Sequence, residues 1–178
     1  MTPDELKDLV RTVPDFPRPG IQFRDITSLI ADSKGLNSAI EMLALKAREV
    51  EADMIAGMEA RGFIFGAAVA ARLGVGFLPV RKRGKLPVPT IGIDYALEYG
   101  VDRLEIDPSL VRAGAKILVL DDLLATGGTA LAAARLLRQA GAQVDYALFV
   151  IDLPDIGGAA KLAAEGITVD TIMQFEGD

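Results

Sequence analysis

The chain has 178 residues, 51% of them hydrophobic, and 25 Asp and Glu against 19 Lys and Arg leave a net charge of −6. That length suffices for one full core, so a single domain over 1–178 is expected, and the acidic balance argues against non-specific nucleic-acid binding. With no Cys and no His, disulfides, thiolate or histidine metal sites and histidine triads are excluded, and acid–base chemistry falls to carboxylates, Lys or Tyr. No apolar run approaches the ~18 residues of a membrane span, and the acidic Met1-Thr2-Pro3-Asp4-Glu5 lacks the basic and apolar parts of a signal peptide, so a cytoplasmic protein without membrane contact is expected.

In chain order, residues 3–11 suggest a short helix. Residues 13–24, with Pro14, Pro17 and Pro19, predict a stiff irregular segment. Leu36, Ile40, Leu43, Ala47 and Val50 share one side of a helix over 36–50. A short strand over 54–58 precedes a helix over 62–73 that is apolar on all sides and is therefore expected to be buried. After a strand over 77–81, residues 83–102 hold glycines, prolines and tyrosines without helical periodicity, which predicts a long and functional excursion. Strand 117–121, helix 129–140, strand 143–151, helix 157–165 and strand 168–175 complete the pattern. Alternating strands and helices predict an α/β fold, a parallel sheet flanked by helices with ligands at the carboxyl ends of the strands.

The most informative run is Ile117-Leu-Val-Leu-Asp121-Asp122-Leu-Leu-Ala125-Thr126-Gly127-Gly128-Thr129-Ala130. A buried strand leads through two carboxylates and a glycine turn into a helix start. Free N–H groups and the helix dipole favour a phosphate there, glycines allow close approach, and the threonine hydroxyls add donors. Two acids cannot face a phosphate without repulsion, so they suit sugar hydroxyls or a metal. A solvated strand end with an ordinary helix entry is the competing interpretation. The run is not a P-loop, and the nearest dinucleotide-type match, Gly74-Val75-Gly76, ends a helix instead of opening one.

Gly57-Met58-Glu59-Ala60-Arg61-Gly62-Phe63 also turns from strand to helix, either as a second anion loop or as a turn with Arg61 in a surface ion pair. Arg81-Lys82-Arg83-Gly84-Lys85 gathers cations at a strand end, either as a solvated basic turn or as an anion site, and it suits an anion such as pyrophosphate better than RNA, because no aromatics interleave. By spacing alone, Tyr95-Ala96-Leu97-Glu98-Tyr99-Gly100 reads as a hairpin with stacked tyrosines.

The 117–130 run resembles the motif that type I phosphoribosyltransferases use to bind 5-phosphoribosyl pyrophosphate (PRPP). Phe16-Pro17-x-Pro19-Gly20-Ile21-x-Phe23-Arg24-Asp25-Ile26, the basic cluster and the Leu97-Glu98-Tyr99-Gly100 loop are similar to the adenine-using branch of that family, and the likeness spans about residues 13–175. It implies a hood over about 13–35, a mobile lid over about 83–106, and transfer of the phosphoribosyl group from PRPP to adenine with release of pyrophosphate. By the same likeness Gln22, Phe23 and Arg24 bind the base, Gln22 through its backbone. Asp121 and Asp122 hold the ribose, and Ala125, Thr126, Gly127, Gly128 and Thr129 hold the 5-phosphate. Ala60, Arg61, Arg81, Lys82, Lys85 and Tyr99 bind pyrophosphate, and Glu98 is the catalytic carboxylate. Mg²⁺ travels with PRPP, partly through Asp121 and Asp122, and a homodimer is implied. A cis bond between Ala60 and Arg61 belongs to the same expectation. Two departures stand out: Ala60 where many members have Ser, and the apolar, flexible Ile91-Gly92-Ile93 before the lid. A transferase for hypoxanthine, guanine, xanthine or orotate, a PRPP-sensing regulator and a PRPP binder without turnover are the alternatives. No Lys occurs between Gly141 and Ala160 to read a 6-oxo group, and neither a winged helix nor a broad basic face is apparent.

Overall fold

A computed structural model describes residues 1–96 and 100–177. Helix α1, Pro3–Leu9, is opened by a reciprocal cap between Thr2 and Glu5. Strands β1, Arg11–Pro14, and β2, Gln22–Asp25, pair antiparallel, so only the intervening loop of the Pro-rich stretch is irregular. Pro14 closes a strand end, where its missing N–H removes no interior ladder bond. Helices α2, Thr27–Ala31, and α3, Ser33–Val50, follow, with Asp32 capping α3 through Gly35 N–H at 2.7 Å.

The main sheet takes β3, Met54–Met58; β4, Gly76–Lys82; β5, Ile91–Ala96; β6, Val101–Ile106; β7, Ile117–Leu124; β8, Tyr146–Asp152; and β9, Thr168–Gln174. Its order is β5-β6-β4-β3-β7-β8-β9. The neighbouring strands β4, β3, β7, β8 and β9 run parallel, as expected. β5 and β6 add an antiparallel edge, making the sheet mixed. The stretch expected to be a long excursion is therefore largely a hairpin continuing the sheet, in line with the hairpin that the spacing of Tyr95–Gly100 predicted. Gly92 fits this geometry: a Cβ there would meet the guanidinium of Arg103 at 2.6 Å, and that group crosses the hairpin to Asp94 and also bonds Glu105 on its own strand.

Helices α4, Arg61–Leu73, α5, Gly128–Gln139, and α6, Gly158–Ala163, cover the sheet together with α1 and α3. Alternation along β7 divides the core: Ile117 and Val119 pack on the α5 side, Leu118 and Leu120 on the side of α3 and α4. Contrary to expectation, α4 is not buried all round. Gly62, Phe65, Gly66, Val69 and Ala70 face the core, but Ile64 is 40% exposed and Ala67 and Ala71 are exposed. A single sheet covers one side of a helix only, so an all-apolar sequence does not bury its far side. Among the described residues, no helix is long and apolar enough to cross a membrane.

Candidate functional site

The central strands β3, β4, β7 and β8 end at one edge, where two cavities open side by side. The first, about 310 Å³, is lined by Glu59, Ala60, Arg61, Lys82, Asp121, Asp122 and the loop from Ala125 to Thr129. The second, about 630 Å³, lies between Gly20–Arg24 and the turn after β8, with Leu153 and Ile156 on its wall. Arg61, Leu123, Ala125 and Thr126 border both.

β7 runs through Leu124, so Asp121 and Asp122 lie within the strand and not at its end. Asp121 is packed beneath the start of α4: a Cβ on Gly62 would come within 2.7 Å of its Oδ1, so only glycine permits this approach. Asp121 Oδ1 accepts the N–H of Asp122 at 2.9 Å. Burial, then the neighbouring charge of Asp122, push the Asp121 carboxyl well above the usual carboxylate range. Asp122, 5% exposed, accepts a short bond from Arg61 Nε. Arg61 thus lines the cleft and makes an ion pair there, with a buried carboxylate and not on the surface.

The turn Ala125–Gly127 delivers the chain into α5, which begins at Gly128. Gly127 is left-handed, with φ 75°, and no side chain caps the helix. Its first N–H groups therefore point into the cleft with the positive end of the dipole behind them. Gly158 at the start of α6 packs against this turn so closely that a Cβ would lie 2.3 Å from Ala125 O. Gly158 carried no motif in the sequence; only the strand-end position of the preceding turn could have pointed to it.

The second loop opens α4 at Ala60, also without a side-chain cap. The cis peptide lies between Glu59 and Ala60, one bond earlier than Ala60–Arg61. Ala60 already has φ −111° and ψ −36°, so the reversal out of β3 is complete before Arg61. Glu59, unassigned from sequence, organises the end of β4: its Oε2 accepts Lys82 N–H at 2.9 Å and Arg81 Nε at 3.0 Å. The Lys82 backbone bond, followed by Arg81, holds the Glu59 carboxyl below its ordinary value, against a desolvation penalty. Lys82 is on the cleft wall, whereas Arg81 and Lys85 are not; Arg81 donates to Glu59, which is itself on that wall. Lys82 Nζ donates to Tyr95 at 2.8 Å and to Asp102 in the hairpin. Burial works to lower its pKa, but these two partners outweigh it and the net shift is upward.

Gln22, Phe23 and Arg24 all border the second cavity. Phe23 stacks edge-on against Phe16, with centroids 5.1 Å apart. The Arg24 guanidinium donates to Thr12 Oγ1 at 2.7 Å and Glu176 O at 3.1 Å. The expected roles of Glu98 and Tyr99 lie outside the described residues.

No group of three or more acidic side chains that could hold a metal ion occurs among the described residues. With Asp121 buried and Asp122 paired to Arg61, the donor set does not make an all-protein metal cage. It suits an ion that keeps its waters and is carried by substrate phosphates, touching at most one carboxylate.

A buried acid pair, an uncapped glycine-rich helix start and a second uncapped loop at one sheet edge define a site for a phosphorylated sugar carrying a second anion. Consistent with this, the Phosphoribosyl transferase domain model matches residues 27–163, and the chain belongs to the phosphoribosyltransferase family. It is 68% identical to the adenine phosphoribosyltransferase of Novosphingobium aromaticivorans over 177 residues, 99% of each chain. The crystal structure of adenine phosphoribosyltransferase from Thermoanaerobacter pseudethanolicus superposes with a TM-score of 0.93 at 47% identity, covering 98% of this chain and 100% of that one. The Saccharomyces cerevisiae enzyme, solved with an imino-altritol bisphosphate and adenine, gives a TM-score of 0.90 at 38% identity over 96% and 98% of the two chains.

Proposed function

We propose that this chain transfers the 5-phosphoribosyl group of PRPP to adenine, forming AMP and pyrophosphate in purine salvage. The observation that carries the reading is the pair of adjoining cavities: a polar cleft of about 310 Å³ for the phosphorylated sugar beside a larger one of about 630 Å³ for the base. Relatives named for this activity match along the whole chain.

Purine N9 forms a bond to C1 of the ribose as the C1–oxygen bond to pyrophosphate breaks. Charge builds on the sugar ring as in other glycosyl transfers, so positioning and charge stabilisation dominate. The first N–H groups of α5 with Thr126, Gly127, Gly128 and Thr129 hold the 5-phosphate. Asp122 meets the ribose hydroxyls once Arg61 turns to the leaving group, and Asp121 supports it from beneath. Ala60 N–H, Arg61 and Lys82 neutralise pyrophosphate, joined by Tyr99. Gln22, Phe23 and Arg24 present the hood to the base. Glu98 takes up the purine proton as N9 bonds to the sugar. Mg²⁺ bound to PRPP would supply further charge neutralisation, with Asp122 as the protein group nearest to hold it.

On this reading residues 1–178 act as one domain in which hood 13–35 and lid 83–106 close over the substrates, and the enzyme works in the cytoplasm as a homodimer. The uncovered apolar side of α4, with Ile64 40% exposed, supports the homodimer. Incubation with PRPP, Mg²⁺ and adenine, hypoxanthine, guanine, xanthine or orotate in turn tests the reading through pyrophosphate release. Release with adenine alone is expected; release with another base, or with none, overturns it.

A further inference from the structure

The two walls of the base cavity are distant in sequence: Gly20–Arg24 on the hood, and Leu153 with Ile156 after β8. One segment following β9, residues 175–177, is tied to both. On the hood side, the Arg24 guanidinium lies 4.7 Å from the centroid of the Phe175 ring and donates to Glu176 O at 3.1 Å. Lys7 of α1 sits over the same ring at 4.8 Å. On the other side, Gly177 N–H donates to Asp155 Oδ2 at 2.7 Å, and Asp155 lies between Leu153 and Ile156. Phe175 N–H donates to Asp152 O at 3.1 Å, anchoring the segment to the end of β8. Phe175 is 8% exposed, so these cation–ring contacts are largely shielded from water, where they are strongest.

We infer that Phe175–Gly177 is a positioning segment for the purine: it holds the hood and the Leu153–Ile156 turn at a fixed separation and so sets affinity for the base without touching it. The inference rests on the second cavity being the base site. A cavity whose walls are already held loses less ordering free energy when its ligand binds. The sugar-phosphate cleft is built from β3, β4, β7 and α5, none of which the segment touches through these bonds, so the effect is confined to the base. Arg24 acts accordingly: its guanidinium faces the segment, which leaves its backbone to present the base-facing edge of the hood.

Steady-state kinetics of Phe175→Leu, Phe175→Tyr and Asp155→Ala, with adenine and PRPP varied separately, test the inference. Phe175→Leu keeps apolar bulk but removes the ring. It should raise the adenine KM about fivefold to tenfold, the range one shielded cation–ring contact covers. The PRPP KM and kcat should stay within about twofold of wild type. Phe175→Tyr restores the ring face and should return the adenine KM to within about twofold. Asp155→Ala releases the other wall at an exposed position and should raise the adenine KM about threefold, the effect of one modest hydrogen bond. An unchanged adenine KM in both Phe175→Leu and Asp155→Ala, or a parallel rise in both KM values, overturns the inference. If Phe175→Leu does not fold, Asp155→Ala decides alone, and an unchanged adenine KM there overturns it. Absence of adenine turnover in the wild type would instead overturn the base-site reading and this inference with it.

Discussion

Asp121 and Asp122 are adjacent in sequence and opposite in circumstance. Asp121 is buried under α4 with its pKa raised by burial and by Asp122, whereas Asp122 is paired with Arg61 at the cleft. A carboxyl whose folded pKa lies above its unfolded value binds its proton more tightly when folded, so it loses stability as pH rises between the two values. Asp121→Asn keeps the acceptor for Asp122 N–H and removes that penalty. It should be at least as stable as wild type at pH 7, the difference vanishing near pH 3, by thermal melts across that range. Asp122→Asn should weaken PRPP–Mg²⁺ binding by about tenfold or more through loss of a charge-assisted contact, read by isothermal titration. Asp25 behaves in the opposite sense. Its bonds to Thr27 and then to Arg11 lower its pKa to about 2. The stability this gives the hood is complete above the unfolded value of 3.8 and is lost as pH falls from there through about 2. The stability gap between wild type and Asp25→Asn in urea titrations should therefore be constant from pH 7 to 5 and narrow as the pH falls to 3.

Among the elements, the glycine-rich loop before α5 packs on a helix the motif does not contain. Gly158 of α6 lies against Ala125 and Gly127, and an added Cβ would meet Ala125 O at 2.3 Å and Gly127 N at 3.0 Å. Both are backbone atoms and cannot swing aside, so Gly158→Ala must displace the loop. It should raise the PRPP KM by about tenfold or more, since small misplacements of a binding loop are costly, with the adenine KM changed far less. An unaltered PRPP KM would show that the loop adjusts freely. The loop itself, its glycines and its helix were legible in Asp121–Ala130, because they are local consequences of a strand, a turn and a helix start. The β1–β2 pair was not legible, and of the β5–β6 hairpin only its existence around Tyr95–Gly100 was, not its pairing with β4. Pro14, Pro17 and Pro19 and the glycines of 83–102 mark breaks in local structure but carry no signal of which distant strand a segment will join.

For the whole molecule, the sheet order sets function by bringing β3, β4, β7 and β8 to one edge, with the hood across the second cavity. On the proposed reading, a base site built on the backbone of Gly20–Arg24 has fixed donor and acceptor positions. Adenine and hypoxanthine reverse polarity at N1 and at the 6-position, and a mismatch leaves buried groups unpaired. Discrimination of at least ~10³ in kcat/KM for adenine is therefore expected. Comparable values in parallel assays would remove the substrate assignment while leaving the family unaffected.

The sequence by itself determined the alternating strands and helices, the acid pair, the glycine-rich turn into α5, the Ala60-Arg61 turn and the family, because each is written in neighbouring residues or in likeness along the whole chain. Only the tertiary structure decided that Arg81 pairs with Glu59, that α4 leaves one side open, that Lys82 is held by Tyr95 and Asp102, and that residues 175–177 bond to both walls of the second cavity. Those outcomes depend on which side of a strand a residue faces and on what the fold carries opposite it. Contacts such as Arg24 with Glu176 join residues far apart in the chain, and no local pattern encodes them.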